Sequence, residues 1–212
     1  MPIRAVISDF GGVLTTPLLR SFVAFQDETG ISFESLGKAM QRSADENNGA
    51  FPLFELEKGR ISELEFLDVL RDQLEPELGH RPELHRFRDI YFEALDPNEP
   101  MVELMRDLKR RGYRMALLTN NVREWEPLWR SMLPVDDIFE LIVDSAFVGM
   151  RKPEREIYEL TLERLGEVAP PECVFIDDTD VNCDAARELG MSAVNFKSNE
   201  QAIGEIEAAL SD

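Results

Sequence analysis

The stretch AVISDFGGVL, residues 5–14, guides the interpretation of the whole chain. Residues 5–10 form a short, mostly apolar run, which is typical of a strand that is covered on both faces. Asp9 stands near the C-terminal end of this run, and ligands of open α/β sheets bind outside the carboxyl ends of the strands. Gly11 and Gly12 then leave the backbone free to curl around a bound group. The stretch predicts a functional carboxylate, although strand-end turns without a function share this pattern.

Further apolar runs follow this first one along the chain, and they too are continuous rather than alternating. Helical segments separate them from residue 98 onward, so the pattern predicts an α/β fold with a doubly wound, Rossmann-like and mostly parallel sheet. The helix after residue 98 carries Met101, Leu104, Met105 and Leu108 at the spacing of a core-facing stripe. The runs expected to form the other strands are residues 114–119, 140–144, 173–177 and 192–196.

Residues 16–96 differ from the rest because they show helical patterns and no further strand. The sequence Ser62-Glu63-Leu64-Glu65 is a capping box, and apolar residues at helical spacing follow it. We therefore expect a small helical cap domain over 16–96, inserted after the first strand. The α/β core domain would comprise residues 1–15 and 97–212. The apolar stripe after the capping box is Phe66, Leu67, Leu70 and Leu74.

The chain is strongly acidic, with 42 Asp and Glu against 23 Lys and Arg among 212 residues, and a net charge of −19. This balance argues against nucleic acid and against anionic membrane surfaces as partners. The sequence contains no run of about 18 apolar residues that could span a bilayer. Cys173 and Cys183 lack metal-binding spacing, and a reducing cytoplasm is the expected location. Whether the chain is a monomer or a homodimer stays open.

Three more groups of polar residues follow predicted strands. Thr119 and Asn120 end the second strand and can donate hydrogen bonds to an anion, although they could equally cap a helix. Lys152 offers local positive charge that could hold a phosphoryl oxygen, or it could be a solvated surface lysine. Asp177 and Asp178 end another strand, and a divalent cation would offset the repulsion between these neighbouring carboxylates. Their joint occurrence is more informative than any one of them.

With these motifs in this order, the chain resembles the haloacid dehalogenase-like hydrolase superfamily. The motifs that carry the resemblance contain Asp9, Thr119, Lys152 and the Asp177-Asp178 pair. The resemblance covers essentially the whole chain, and the 16–96 insertion falls where this family places a helical C1-type cap. The forms DFGGVL and GMRKPE, with Glu57-x-Gly59-x-Ile61 in the insertion, are most similar to the phosphatase branch typified by the N-terminal domain of epoxide hydrolase.

The resemblance implies a Mg²⁺-dependent phosphatase that acts on a small phosphorylated metabolite. Asp9 would be the nucleophile and would form an aspartyl-phosphate that water hydrolyses. Thr119 and Lys152 would hold the phosphoryl oxygens, and Gly12 and Asn120 would help to bind the phosphate.

The same resemblance implies how Mg²⁺ would be held. Asp9 and Asp178 would bind the ion directly, and the backbone carbonyl of Gly11 would complete the protein's share of the coordination. Asp177 would belong to the metal site as a supporting carboxylate.

Gly11 departs from the pattern of the family's phosphatases, which usually carry a second Asp there as general acid and base. A glycine cannot transfer a proton, and general acid–base catalysis typically contributes about 10²–10⁴-fold in rate. This departure leaves two alternatives open. The chain could be a non-enzymatic or very weakly active binder of phosphometabolites. It could instead be a 2-haloacid dehalogenase, since those members also lack the second Asp, but they need no Mg²⁺ and differ from this chain in the last motif.

Overall fold

A five-stranded parallel sheet forms the centre of the computed structural model, which describes residues 2–211. The strand order is β3-β2-β1-β4-β5, and every neighbouring pair is parallel. The predicted α/β class and parallel sheet are therefore confirmed. The strands are β1 (Ala5–Ser8), β2 (Arg114–Thr119), β3 (Leu141–Asp144), β4 (Cys173–Asp177) and β5 (Ser192–Asn195).

Residues 16–96, which lie between β1 and β2, are called the helical insertion below. Its described helices are α1 (Leu19–Thr29), α2 (Phe33–Glu46), α3 (Pro52–Glu57), α4 (Glu63–Leu78) and α5 (Phe87–Glu93). Its two ends are joined at the core, because Thr15 and Pro97 form an antiparallel bridge. Asn98 extends this junction by donating its side-chain amide to the Val13 carbonyl at 2.8 Å.

Helices of the α/β core flank the sheet on both faces. The predicted apolar stripe of α6 is buried, with Met101, Met105 and Leu108 at 0% exposure. The core helices are α6 (Glu99–Arg110), α7 (Glu126–Met132), α8 (Val135–Ile138), α9 (Ser145–Val148), α10 (Arg155–Leu165), α11 (Asp180–Glu188) and α12 (Asn199–Ser211). Short 3₁₀ turns cover Arg123–Trp125 and Pro170–Glu172.

Two buried apolar clusters lie on opposite faces of the sheet, because side chains alternate along each strand. Val6 and Leu117 belong to the cluster that also contains apolar residues of the helical insertion. Ile7 and Leu118 belong to the other cluster, together with residues of α10 and α11. The insertion therefore packs against the core through shared apolar contacts. Among residues 2–211, no helix is long and apolar enough to cross a membrane.

The predicted capping box is present at the start of α4. Ser62 donates its backbone N–H to Glu65 Oε2 at 2.7 Å, and its hydroxyl accepts from the Glu65 N–H at 3.3 Å. We expect Ser62→Ala to lower the free energy of unfolding by about 1 kcal/mol, since it removes the acceptor of an orphan helix N–H. Urea denaturation measures this, with Ser62→Thr as the variant that keeps the hydroxyl. Equal stabilities of the two variants would contradict the prediction.

Candidate active site and metal site

The site lies at the carboxyl edge of the three central strands. Ser8 of β1 pairs with Leu117 of β2 on one side and with Ile176 of β4 on the other. Asp9 continues this ladder by donating its N–H to the Ile176 carbonyl at 2.8 Å. Because parallel strands end at the same edge, Asp9, Thr119 and Asp177 are brought to neighbouring positions although they are far apart in sequence.

Lys152 is the cation of this site and is 1% exposed. Its Nζ lies 2.7 Å from Asp9 Oδ1 and 2.6 Å from Asp177 Oδ2. The Asn120 amide donates to the Lys152 carbonyl at 3.0 Å and accepts from the Lys152 N–H at 2.8 Å. Asn120 was predicted to bind phosphate. In the structure both polar atoms of its side chain bond the Lys152 backbone, which positions that lysine.

Asp177 is fully buried and is held from several directions. Its Oδ2 faces Lys152, while its Oδ1 accepts from the Thr179 N–H and from the Asn182 amide, both at 2.9 Å. Both oxygens are therefore engaged by protein donors. This arrangement suits a carboxylate that orients Lys152 and supports the predicted metal site.

Asp178 faces Gly12 closely. Gly12 has φ of +75°, and a Cβ built there would lie 2.9 Å from Asp178 Cγ and nearer still to Oδ2. Real Cβ atoms essentially never approach that closely, so any side chain at this position would displace the carboxylate. The glycine is therefore required both by its backbone conformation and by the space that Asp178 occupies.

Gly12→Ala tests this packing. We expect it to weaken Mg²⁺ binding by at least about tenfold, because Asp178 must move, and to destabilise the fold by more than about 1 kcal/mol, because φ is positive. Calorimetric Mg²⁺ titration and denaturation measure the two effects. Gly30→Ala is the matched control, since Gly30 has φ of +74° with no atom within 4 Å of the added Cβ. Unchanged Mg²⁺ affinity in Gly12→Ala would contradict this account.

The carboxylates fit a divalent cation. Asp9, Asp177 and Asp178 each offer an oxygen, and these oxygens lie within 4.8 Å of one another. With all three ionised, the single charge of Lys152 leaves two negative charges uncompensated, and Mg²⁺ prefers oxygen ligands.

The pKa directions agree with this excess of negative charge. Burial raises the pKa of Asp9 to about 7, which the charge of Lys152 opposes and the neighbouring carboxylates reinforce. Burial and the charge of Asp177 also raise the pKa of Asp178. Burial disfavours charge on Lys152, but Asp177 and Asp9 outweigh it and raise its pKa, so the lysine stays protonated. A bound cation would favour the ionised form of Asp9 that a nucleophile requires.

The apolar side chain of Leu18, near the start of the helical insertion, lies beside Gly11. A Cβ built on Gly11 would lie 3.2 Å from both Cδ atoms of Leu18. The position where the related phosphatases carry a second Asp therefore has Leu18 beside it. A side chain at position 11 would require this leucine to shift by a few tenths of an ångström.

Most of the predicted site residues line one cleft of about 570 Å³ beside Asp9. Thr119 lies instead on the wall of an adjoining cavity of about 230 Å³, between the helical insertion and the core. Gly12 and Asp177 do not line the cleft. Gly12 lies against Asp178, and Asp177 is paired with Lys152. The predicted residues that line the cleft are Asp9, Gly11, Asn120, Lys152 and Asp178.

The ion pair between Glu57 and Arg151 was not predicted. Arg151 Nε donates to Glu57 Oε2 at 2.6 Å, and both side chains are only 15% exposed. Glu57 ends α3, so the pair joins the insertion to the core beside the cleft. Burial raises the pKa of Glu57, while the charges of Arg151 and Lys152 oppose this shift.

Gly59, which follows Glu57 by two residues, lies at the same junction between the insertion and the core. A Cβ on Gly59 would lie 3.2 Å from the Ala146 carbonyl carbon, so the backbone of the insertion approaches the core closely there. A second ion pair, between Lys58 and Glu154, lies at the same junction.

Comparison with known proteins adds a family match and relatives that cover most of this chain. The model of the haloacid dehalogenase-like hydrolases matches residues 3–190. The sesquiterpene phosphatase astK of Aspergillus oryzae is 29% identical over 202 residues, which cover 91% of this chain and 89% of that protein. The bifunctional epoxide hydrolase 2 of Rattus norvegicus is 27% identical over 222 residues, covering 98% of this chain. The match covers only 39% of the length of that epoxide hydrolase.

A solved structure shares both the fold and part of the sequence. The haloacid dehalogenase family enzyme of Bacteroides thetaiotaomicron, in complex with magnesium and inorganic phosphate, superposes with a TM-score of 0.68 and 28% identity. The match covers 92% of this chain and 94% of that one. The relative with a solved magnesium complex thus has the same overall architecture.

Proposed function

The chain belongs to the haloacid dehalogenase-like hydrolase family, and from this premise we propose that it is a Mg²⁺-dependent phosphatase of a small phosphorylated metabolite. The observation that carries the proposal is the placement of Lys152 Nζ between Asp9 and Asp177, with Asp178 in the same cluster. A relative named as a sesquiterpene phosphatase and a family member solved with magnesium and phosphate support it.

The proposed reaction begins with attack of an Asp9 carboxylate oxygen on phosphorus. The bond between phosphorus and the ester oxygen breaks, and the leaving group departs as an alcohol. Water then attacks the phosphorus of the aspartyl-phosphate, which releases inorganic phosphate and restores Asp9. Lys152 and Thr119 would hold the phosphoryl oxygens and stabilise the charge that develops on them.

Asp9 and Asp178, with the Gly11 carbonyl, would hold Mg²⁺, which supplies further neutralisation of phosphoryl charge. Asp177 keeps Lys152 oriented from behind. When the ester bond breaks, the leaving oxygen takes a proton from water in the cleft. The water that later attacks the aspartyl-phosphate gives a proton back to solvent, so the net reaction converts ester and water into alcohol and inorganic phosphate. Because Gly11 offers no carboxylate to supply or take up these protons, hydrolysis is expected to be slower than in a phosphatase that has a carboxylate at this position, most of all for esters with poor leaving groups.

One observation favours a second candidate, a member that binds phosphometabolites without turning them over. Leu18 lies beside Gly11, where the related phosphatases carry their acid–base carboxylate. In that case the cluster of Asp9, Asp178 and Lys152 would bind phosphate and Mg²⁺ without measurable turnover. The dehalogenase alternative fits less well, because three clustered carboxylates fit a cation that dehalogenation does not need.

A screen of sugar phosphates, nucleotides, acyl phosphates and aryl phosphates, with and without Mg²⁺, tests the proposed function. We expect phosphate release that requires Mg²⁺, falls to background in EDTA and returns when Mg²⁺ is added in excess. The residues that would bind the ion are acidic oxygen ligands, so removal of the ion leaves their repulsion uncompensated. Tight phosphate binding without release from any ester would favour the second candidate. Halide release from a 2-haloacid without metal would favour dehalogenation.

A further inference from the structure

The cavity between the helical insertion and the core has an almost entirely apolar wall. Five helices of the insertion face the core segments that follow β1 and β2, and the enclosed volume is about 230 Å³. On the core side, Phe10 and Trp129 contact each other at a ring-centroid distance of 5.2 Å. Apolar residues on the insertion side include Phe22, Leu36, Met40, Leu53, Leu70 and Phe92.

The wall offers little to water. The exceptions include Trp125 and Trp129, which both line the cavity at 6% and 0% exposure and whose indole N–H groups have no hydrogen-bond partner among the described residues. Water occupies a cavity only where several polar partners can hold it, and apolar cavities stay dry. Thr119, Asn120 and Asn121, which also line the cavity, follow one another at the end of β2 beside the phosphoryl site. The rest of the space is suited to an apolar group.

The cavity adjoins the Asp9 cleft and shares part of its wall. The same four residues, Gly11, Leu18, Glu57 and Asn120, line both spaces, and we call them the neck. A phosphoryl group bound at Asp9 therefore has the neck and the apolar cavity next to it. Because Gly11 has no side chain, Leu18 can lie beside it and add an apolar group to a neck that also contains Glu57 and Asn120. A side chain at position 11 would require Leu18 to shift.

We propose that this cavity receives the leaving group, and that the substrate is the phosphomonoester of an apolar alcohol. The inference rests on the proposed function and specifies its substrate class. An apolar cavity of about 150 Å³ can hold benzene, which has six carbon atoms, so a cavity of about 230 Å³ has room for a chain of roughly eight carbon atoms. Sugar phosphates and nucleotides are expected to be poorer substrates, since most of this wall is apolar and it offers few partners for their hydroxyl groups.

A series of n-alkyl phosphates from ethyl to dodecyl tests the inference, assayed with Mg²⁺ beside glycerol phosphate and glucose phosphate. We expect kcat/KM to rise about fourfold for each added methylene, the ratio expected from burial of one methylene, up to roughly eight carbons, and then to level off. Independence from chain length, or equal activity on glucose phosphate and octyl phosphate, would overturn the inference.

Two variants of Met40 locate the effect in the cavity. Met40→Trp fills the space and should reduce kcat/KM for octyl phosphate at least about tenfold, and should reduce it for ethyl phosphate much less. Met40→Ala enlarges the space and should move the optimum to longer chains, a gain that misfolding cannot produce. Leu64→Trp is the matched control, since Leu64 belongs to the insertion but is 65% exposed. A chain-length profile that neither Met40 variant changes would overturn the inference.

The series also separates this inference from the proposed function. If aryl and acyl phosphates are hydrolysed but longer alkyl chains are not preferred, the protein is a phosphatase and only the apolar substrate class is wrong. If no alkyl, aryl or acyl phosphate is hydrolysed, both the proposed function and this inference are wrong.

Discussion

Asp9→Asn is expected to reduce phosphomonoester hydrolysis at least about 10⁴-fold, to the background rate. The amide cannot attack phosphorus, and loss of the nucleophile in other covalent enzymes acts on this scale. The fold should persist, because the Asn oxygen can still accept from Lys152 Nζ, which lies 2.7 Å from Asp9 Oδ1. Initial rates of phosphate release, normalised to folded protein by circular dichroism, measure the effect.

Asp180→Asn is the matched control for this variant. Asp180 lies three residues after Asp177, but its side chain is 75% exposed and pairs with Lys197 at the surface. It should keep the wild-type rate, so the loss in Asp9→Asn cannot be assigned to net charge. A second readout is trapping of the phosphorylated enzyme by rapid acid quench, which should detect phosphoryl-enzyme in the wild type alone. Retention of more than a few per cent of the rate by Asp9→Asn would show that another group attacks phosphorus.

Lys152→Met is expected to remove activity and stability together. It leaves the buried carboxylates of Asp9 and Asp177 without their cation, and breaking a buried ion pair in this way costs about 3–5 kcal/mol. Loss of a charged group that holds the phosphoryl oxygens should lower kcat at least about 10²-fold. Denaturation in EDTA measures the first effect, because bound Mg²⁺ would otherwise compensate for the missing charge.

A double variant separates the two effects. In Lys152→Met with Asp177→Asn one of the two unpaired carboxylates is neutral, so much of the stability should return while activity stays lost. Lys197→Met is the surface control, since Lys197 is 60% exposed and should contribute no more than about 1 kcal/mol. A fully stable Lys152→Met single variant would mean that the carboxylates share protons in the folded state, and the charge balance described for the site would be wrong.

The parts of the structure that were predicted correctly rest on local patterns. The run of residues 173–177 forms β4 with its predicted bounds, and the stripe of Met101, Met105 and Leu108 is buried, because periodicity reports which face an element hides. The first run extends less far than predicted: β1 ends at Ser8, so Asp9 and Phe10 belong to the loop that follows it. This difference places the Asp9 side chain just past the last residue of the strand, where it contacts Lys152.

The unpredicted parts depend on contacts between distant residues. Glu57 and Arg151 are 94 residues apart, and no local pattern pairs them. The engagement of Asn120 with the Lys152 backbone and the position of Leu18 beside Gly11 arise only when the loops pack. The cavity has the same origin, because its wall combines residues of the insertion with residues after β1 and β2. Apolar residues with helical periodicity predict burial, but they do not reveal that a space remains between the buried faces.

The neck has a kinetic consequence. An alcohol formed in the cavity keeps the apolar contacts of the ester from which it came, so a longer chain retains the product as well as the substrate. To leave, it passes Glu57, whose position is held by Arg151 at 2.6 Å. We therefore expect turnover at saturation to be limited by product release for long chains, with kcat falling while kcat/KM rises, and with added alcohol acting as an inhibitor.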